Sequence, residues 1–273
     1  MDKKSLGQFE PVLSVNKVYA DIFDNKGDQK RLLHPITFEL QPGKVIGLAG
    51  ESGSGKTMTC RSILQLLPSE IRNGGSIRLK NRELIGLPEH EMRQIRGKEI
   101  GYVVQNPMNA LISVRTIGNQ FIETIRTHLP LNKREAIELA CHTLEQVNLY
   151  NPKLLLQKYP FELSGGMLQR VLIALTMCLS PSIVIADEPT TALDTENQFR
   201  VLEELEKLRS QGTAILFITH DLDVLAEIAD EVMVMCSGEL IEHTDVFTLF
   251  NSPQHPYTAK LLHNRLDQEW EVM

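Results

Sequence analysis

The run from Gly50 to Thr57 carries the clearest chemical signal in this chain of 273 residues. It fits G-x-x-x-x-G-K-[ST] at every position, with Gly50, Glu51, Ser52, Gly53, Ser54, Gly55, Lys56 and Thr57. Glycines allow a loop to curl its N–H groups around a polyphosphate where Cβ atoms would clash. Lys56 adds charge near the β and γ phosphates, and the Thr57 hydroxyl suits Mg²⁺. The run predicts a phosphate-binding loop for a nucleoside triphosphate with Mg²⁺; a glycine-rich turn without ligand is the alternative.

Three further polar side chains follow apolar runs that are typical of buried strands. Asp187 and Glu188 end the run that begins at Ile183, and Gln105 follows the run Ile100–Val104. Asp187 suits a water-mediated hold on Mg²⁺, while Glu188 can act as general base toward an attacking water. Gln105 suits a contact to Mg²⁺ or to the same water. Paired acids are often only solvated, but they rarely end so apolar a strand.

His220 follows another apolar run, Ala214–Ile218. Open α/β sheets bind ligands outside the carboxyl ends of their strands. The pattern therefore places His220 at the same sheet edge as Lys56 and Glu188. We expect it to contact the γ-phosphate.

The segment Ser164-Gly165-Gly166 begins a helical pattern that continues to about Leu179. Ser164 is a favourable N-cap, and the two glycines leave the first N–H groups of the helix open to an anion. A capped helix with no ligand is an equally good interpretation of this segment alone. Its neighbours along the chain favour the anion site.

Composition indicates a globular protein, since 42% of the residues are hydrophobic and can fill a sizeable core. The net charge of −7 and pI near 5.7 argue against a general nucleic-acid binder, which normally has a basic footprint. No apolar run has the length of a membrane span, and no signal-peptide pattern follows Met1. We therefore expect a cytosolic chain that can dock on a membrane protein.

The cysteines and histidines are scattered along the chain. The four cysteines form no C-x-x-C pair, and no spacing typical of a disulfide framework or a zinc site appears. Reduced, buried thiols are the expected state. Among the eight histidines, His220 alone lies in a setting that suggests chemistry.

The order of the elements predicts an α/β fold with two sheets. Val45–Ala49 and the apolar runs before Gln105, Glu188 and His220, together with Val232–Met235, have the character of buried strands. A small antiparallel sheet beside the nucleotide is expected from three alternating or β-branched segments: Leu13–Val18, Ile36–Leu40 and Ser76–Leu79.

Three further stretches of the chain have helical patterns. Helices are predicted over Thr57–Leu67, from Ile117 to about Tyr150, and from about Glu196 to Arg209. The second of these marks an insert between two halves of a nucleotide fold. We expect a single domain over 1–273, with a nucleotide-binding core and β subdomain at 11–107 and 181–250, a helical subdomain at 108–180 and a tail at 251–273.

The ordered set of motifs resembles the ATPase subunits of ABC transporters over nearly the whole chain. The set comprises the phosphate-binding loop, Gln105, Leu163-Ser164-Gly165-Gly166-Met167, Asp187-Glu188, Ala192-Leu193-Asp194 and His220. The resemblance implies a P-loop ATPase with a RecA-like core, ATP and Mg²⁺ as ligands, and catalytic roles for Glu188, His220 and Gln105. Asp194 and the Ser164-Gly165-Gly166 segment would contact nucleotide, and Thr57, Gln105 and Asp187 would hold Mg²⁺.

The same resemblance implies an assembly. Two ATPases would enclose two ATP molecules head to tail, with each phosphate-binding loop facing the Ser164-Gly165-Gly166 segment of its partner. The second ATPase is expected to be a related chain, although a homodimer is possible. Two membrane permeases and an extracytoplasmic substrate-binding protein complete the complex, which places this chain peripherally on the cytoplasmic face of the membrane.

Two features narrow the resemblance to the peptide/nickel group of importers: the tail SPQHPYTAKLL and Met167 in the signature LSGGM. The runs GSGKTMTCRSILQLLP and YPFELSGGMLQR are similar to the first ATP-binding subunit of nickel importers. We therefore expect uptake of nickel, cobalt or a metal–metallophore complex. Di- or oligopeptide import is the alternative, and an exporter subunit is a second one.

The chain departs from the family pattern in two places. Ile22 lies where the family usually stacks an aromatic ring on adenine, which leaves Phe23 or Tyr19 as substitutes. The Cys-rich tail of some peptide-importer relatives is missing, so no iron–sulfur cluster is expected.

Overall fold

A computed structural model describes residues 10–23, 27–191 and 193–270, with side chains to residue 263. Ala192 of the predicted Ala192-Leu193-Asp194 motif lies outside this range. The described strands are β1 (Leu13–Phe23), β2 (Gln29–Leu40), β3 (Val45–Ala49), β4 (Ile71–Leu79), β5 (Arg82–Glu83), β6 (Ile100–Val103), β7 (Ile183–Asp187), β8 (Ala214–Ile218), β9 (Glu231–Cys236) and β10 (Glu239–Asp245).

Five helices of the described residues lie between β6 and β7, and the others follow or separate the remaining strands. The helices are α1 (Lys56–Ile63), α2 (Glu89–Ile95), α3 (Pro107–Ala110), α4 (Ile117–His128), α5 (Lys133–Gln146), α6 (Pro152–Leu155), α7 (Gly165–Met177), α8 (Thr195–Ser210), α9 (Leu222–Ile228), α10 (Val246–Asn251) and α11 (Pro256–Trp270). A 3₁₀ turn at Pro160–Glu162 precedes α7.

The central sheet contains six strands in the order β10-β9-β3-β8-β7-β6. All neighbours pair in parallel except β9 and β10. Strand β3 is buried throughout because both faces of the sheet are covered. Its alternate residues belong to different apolar clusters, Val45 and Ala49 to one and Ile46 and Leu48 to the other.

The two apolar clusters assign a distinct layer to each face of the central sheet. One contains buried residues of α4, α5, α7, α8 and α9, and the other contains those of α1, α2 and the antiparallel sheet β2-β1-β4-β5. The predicted α/β class with an antiparallel sheet and a helical part is therefore confirmed. Parallel strands β3, β7 and β8 end at one edge, which brings their carboxyl-terminal residues together.

Two predicted helices differ from those observed. Helix α1 ends at Ile63 and not near Leu67, because Gln65 has a left-handed φ of 51° and the Leu66 N–H donates to the Arg61 carbonyl at 2.8 Å. The pattern from Ile117 to Tyr150 forms two helices, since Pro130 follows α4 and Asn132 caps α5 with a complete capping box.

Helix α4 approaches the chain around Leu156 so closely that Gly118 is required there. The Gly118 N–H donates to the Leu156 carbonyl at 2.8 Å. A Cβ atom at position 118 would lie 2.7 Å from that same oxygen.

We expect Gly118→Ala to destabilise the protein by about 1–3 kcal/mol, because the backbone of Leu156 must move to admit the methyl group. The measurement is the free energy of unfolding in urea. Gly165→Ala is the matched control, since a Cβ atom there meets nothing within 4 Å, and its effect should stay within about 0.5 kcal/mol. Equal stability of the two variants would contradict the close approach of α4.

Across the described residues, no helix combines the length and apolar character needed to cross a membrane.

Candidate functional site

In the loop between β3 and α1, the side chain of Lys56 folds back onto the backbone of the loop. The Lys56 ammonium donates to the carbonyls of Gly50, at 2.7 Å, and Glu51, at 3.0 Å. Lys56 is 6% exposed, and burial lowers the pKa of its amine, while the carboxylates of Glu188 and Asp187 oppose that shift. Within the described part of the chain this buried cation donates hydrogen bonds to neutral carbonyls alone, so it is well placed to bind an anion.

Two glycines of this loop are required by close neighbours as well as by dihedral angle. Gly50 has φ +145°, and its Cβ would lie 2.4 Å from the carbonyl oxygen of Met235. Gly55 has φ +113°, and its Cβ would lie 2.9 Å from the Met235 side chain. The loop therefore packs directly on the end of β9. Among the described residues the buried hydroxyl of Ser54 has no hydrogen-bond partner, so the loop keeps a free polar group.

The Glu188 carboxylate is held by three side chains from three segments. Gln105 Nε2 donates to Oε2 at 2.9 Å, and the Thr191 hydroxyl donates to the same oxygen at 2.9 Å. His220 Nδ1 lies 3.3 Å from Oε1. Glu188 itself has a left-handed φ of 48°, which is uncommon for a residue with a side chain and turns the chain sharply after β7. Glu188 thus joins the ends of β6, β7 and β8.

Asp187 lies deeper than Glu188, at the end of the buried strand β7. The Tyr102 hydroxyl of the neighbouring strand donates to Asp187 Oδ2 at 3.0 Å. Burial raises the pKa of the Asp187 carboxyl, and the hydrogen bond from Tyr102 opposes this. Burial beside Asp187 also raises the pKa of Tyr102, so this phenol remains a donor. Among the residues that the structure describes, none donates a hydrogen bond to the other oxygen of Asp187.

Lys56, Gln105, Glu188 and His220 line a cavity of about 1060 Å³. Ser54 and Asp187 lie outside its wall, and Leu32, Met58, Leu261 and the segment 221–223 complete it. The predicted site residues that line the cavity are Gly50, Glu51, Ser52, Gly53, Gly55, Lys56, Thr57, Gln105, Glu188 and His220.

The signature segment and Asp194 lie apart from this cavity, and Asn197 lies next to both of them. The Ser164 hydroxyl accepts from the Met167 N–H at 3.3 Å, so it caps α7. Asp194 caps α8 by accepting from the Asn197 N–H at 2.8 Å, and the Asn197 amide donates to both oxygens of Asp194. A Cβ at Gly166 would lie 2.6 Å from the Asn197 side chain. Nucleotide contacts by Asp194 and the Ser164-Gly165-Gly166 segment remain predictions.

Comparison with known proteins identifies the family to which this fold and these motifs belong. The family model described as ABC transporter matches residues 33–191. The chain is 42% identical to a probable peptide ABC transporter ATP-binding protein of Sinorhizobium fredii over 241 residues, which are 87% of this chain and 72% of that protein. The chain belongs to the ABC transporter family. It is an ATP-binding subunit that hydrolyses ATP in support of transport.

A second relative agrees with this assignment, and one solved structure shares the fold. A probable D,D-dipeptide transport ATP-binding protein of Escherichia coli is 41% identical over 93% of this chain and 78% of its own length. An ATP-binding cassette solved as a dimer with ADP and Pi has a TM-score of 0.76, with 24% identity over 86% of this ABC subunit and 98% of that chain. The names of the two relatives refer to peptides, so these comparisons do not confirm the expected similarity to nickel importers.

Three residues that hydrogen-bond to the ABC subunit's site were not predicted as site residues from the sequence: Tyr102, Thr191 and Tyr257. Tyr102 lies within a strand pattern and Thr191 in a loop, where a hydroxyl is ordinary. The Tyr257 hydroxyl accepts a hydrogen bond from the Glu51 N–H, which is 206 positions away in the sequence. The spacing of Thr191 three residues after Glu188 was the one local signal available.

The two aromatic residues considered for adenine are both engaged with arginine. Arg31 lies over the Tyr19 ring, and Arg72 lies over the Phe23 ring, each at 4.8 Å from the centroid. Neither ring lines the cavity of the ABC subunit. Which of them contacts a purine stays a prediction.

Proposed function

We propose that this chain powers import of di- or oligopeptides, with Glu188 as the catalytic base of ATP hydrolysis. The observation that supports the catalytic role most strongly is the set of contacts around Glu188, which joins Gln105 and His220 in the wall of the cavity. A carboxylate in that position can orient a water molecule and accept its proton. Gln105 and His220 hold the carboxylate in place.

The other catalytic roles follow from charge and position. Lys56 exchanges the carbonyls of Gly50 and Glu51 for the β and γ phosphates, which offer full negative charge to its ammonium. His220 lines the same cavity with its side chain 59% exposed, so it is accessible to the γ-phosphate of a bound nucleotide. Because little covalent chemistry falls to the protein in phosphoryl transfer, positioning of these groups supplies most of the rate.

Three oxygen donors would hold a magnesium ion in this proposal: Thr57 and Gln105 line the cavity, and Asp187 lies outside its wall at the end of β7. Thr57 offers a hydroxyl, Gln105 an amide oxygen and Asp187 a carboxylate oxygen beyond the one bonded to Tyr102. Oxygen donors of this kind, completed by water and phosphate, are what Mg²⁺ prefers. The ion would neutralise phosphate charge during hydrolysis.

The signature segment serves a partner ATPase in this proposal. Ser164 and Gly165 are exposed and lie outside the cavity of their own chain. A second ATPase, either a related chain or another copy, would receive this helix N-terminus on its nucleotide. The isolated chain should therefore bind ATP but hydrolyse it slowly.

The permeases would dock on the segment Met108–Phe121, which follows Gln105. Apolar side chains are unusually exposed there, with Ile112 at 50% and Val114 at 81%. Movement of a permease helix on this segment would be coupled to Gln105, which precedes it in the chain, and through the hydrogen bond of Gln105 to Glu188. This arrangement places the subunit at the cytoplasmic face of a membrane, in a complex with an extracytoplasmic substrate-binding protein.

For the cargo, similarity to relatives named for peptide and dipeptide transport favours peptides over nickel. An ATPase subunit does not contact the transported solute, so its own metal ligands carry no weight in this choice. Nickel, cobalt and metallophore complexes become the competing hypothesis, and an exporter role the third.

The test is uptake by cells of the source organism that lack this subunit. We expect uptake of a radiolabelled dipeptide or tripeptide to fall at least about tenfold. Without this subunit, the partner ATPase lacks the second chain that completes its nucleotide sites. Uptake of ⁶³Ni²⁺ and ⁵⁷Co²⁺ under metal limitation should be unchanged. The wild-type gene should restore peptide uptake.

A Glu188→Gln gene is the matched control, because it supplies the subunit without the proposed base. Lost metal uptake with unchanged peptide uptake would overturn the peptide assignment in favour of nickel or cobalt. Faster accumulation of peptide in the deletion strain would instead indicate an exporter.

A further inference from the structure

The tail motif His255-Pro256-Tyr257-Thr258 is fixed to the central sheet by one buried carboxylate. Glu242 of strand β10 accepts from the Gln254 N–H at 2.8 Å and from the His255 N–H at 3.0 Å. Glu242 is 8% exposed. Since these two N–H groups precede helix α11, the carboxylate fixes where that helix begins.

His255 and Pro256 then set the direction of helix α11. His255 Nδ1 accepts from the Tyr257 N–H at 3.1 Å, as an N-cap side chain does. The Ala259 N–H donates to the His255 carbonyl at 3.1 Å, which closes the first turn. Pro256 occupies the first helical position, where its missing N–H costs nothing. The ring of Tyr257 is thereby directed toward the phosphate-binding loop.

The hydroxyl of Tyr257 meets the first peptide unit of that loop. It accepts a hydrogen bond from the Glu51 N–H at 3.3 Å. The carbonyl of the same peptide unit belongs to Gly50 and accepts from Lys56 at 2.7 Å. Burial raises the pKa of Tyr257, so the hydroxyl is neutral at physiological pH. One turn later, Leu261 lines the nucleotide cavity.

The orientation of this peptide unit depends on contacts from other side chains, because Gly50 on its N-terminal side restricts rotation only weakly. Gly50 has φ +145°, a backbone state open to glycine and to few other residues, and such a unit can rotate at little steric cost. Lys56 and Tyr257 hold its two ends, and the rest of the loop is braced by the Gly238 N–H, which donates to the Ser54 carbonyl at 2.8 Å. When the Lys56 ammonium moves from the Gly50 carbonyl to a phosphate, the hydrogen bond between the Glu51 N–H and Tyr257 remains to fix the peptide unit.

We propose that Tyr257 is a positioning residue of the phosphate-binding loop, and that the tail motif is a strut between Glu242 and the peptide unit Gly50–Glu51. The strut keeps the loop in its nucleotide-accepting shape after Lys56 leaves the Gly50 carbonyl. It acts on nucleotide affinity and is independent of the transported solute. Failure of this inference would therefore leave the peptide proposal standing, and the reverse also holds.

The first test is Tyr257→Phe in the full chain, which removes the hydroxyl and keeps the ring. We expect the Kd for Mg·ATP, measured with a fluorescent analogue, to rise about three- to tenfold, as for loss of one neutral hydrogen bond. Amide hydrogen exchange in a peptide covering residues 50–53 should become faster. Tyr150→Phe is the matched control, since Tyr150 is 80% exposed, and it should change neither quantity.

The second test removes the anchor of the strut. Glu242→Ala should weaken Mg·ATP binding by a similar factor and accelerate the same exchange, while the double variant should bind no more weakly than Glu242→Ala alone. Such non-additivity is expected when two residues act through one element. Wild-type affinity and exchange in Tyr257→Phe would overturn the proposal, and additive losses in the double variant would overturn the role of the anchor.

Discussion

Glu188→Gln should reduce ATP hydrolysis by about 10²–10⁴-fold, the usual contribution of a general base, while ATP binding stays close to wild type. The amide keeps the shape of the side chain and can still contact Gln105, Thr191 and His220, but it cannot accept a proton from water. The assay is phosphate release by the complete transporter. Binding of a fluorescent ATP analogue gives the second readout.

The same variant should trap the closed pair of ATPases. Because ATP is not cleaved, an ATP-dependent dimer should persist in size-exclusion chromatography, with a second related ATPase or with another copy of this chain. Glu203→Gln is the matched control, since Glu203 lies exposed on α8 away from the cavity. Hydrolysis near the wild-type rate would remove Glu188 from the role of base, and failure to dimerise with either partner would contradict the closed pair.

Lys56→Ala should have the second large effect, because it removes the one buried cation of the phosphate-binding loop. Hydrogen bonds to charged groups are worth about 1.5–3 kcal/mol, so we expect Mg·ATP affinity to fall about 10–150-fold and hydrolysis to reach background. The loss also frees the carbonyls of Gly50 and Glu51, which should loosen the loop. Isothermal titration and phosphate release measure the two effects.

Lys153→Ala provides the control for Lys56→Ala, since Lys153 is exposed on α6. It should bind and hydrolyse ATP as the wild type does. A Lys56→Ala protein that hydrolyses ATP at a near-normal rate would show that phosphate charge is met elsewhere, and the assignment of Lys56 would be wrong. Thermal unfolding of both variants separates a lost contact from a lost fold.

Local patterns were sufficient to predict much of the fold and part of the site. Strand Val45–Ala49 and the N-cap at Ser164 appear where they were expected. Both depend on short-range physics: a buried parallel strand needs a continuous apolar run, and a helix start needs an acceptor for its first N–H groups. The phosphate-binding loop is equally local, because its glycines and lysine lie within one turn of chain.

Helix ends were less predictable because the φ and ψ angles of one or two residues determine them. The apolar face of α1 continues through Leu64, yet the left-handed φ of Gln65 ends the helix at Ile63. Nothing in the side-chain pattern distinguishes Gln65 from a residue that continues a helix. The cost of ending there is offset by the hydrogen bond from Leu66 to Arg61.

Contacts between distant segments required the tertiary structure. The pairing of β6 with β7 and of β7 with β8 brings Gln105, Glu188 and His220 together, and that register results from burial of both faces of the sheet, not from any short motif. The contact of Tyr257 with Glu51 spans 206 positions. Its geometry depends on where Glu242 anchors the tail, so the motif HPYT indicated a family branch while its physical role emerged only once β10, α11 and the loop were packed together.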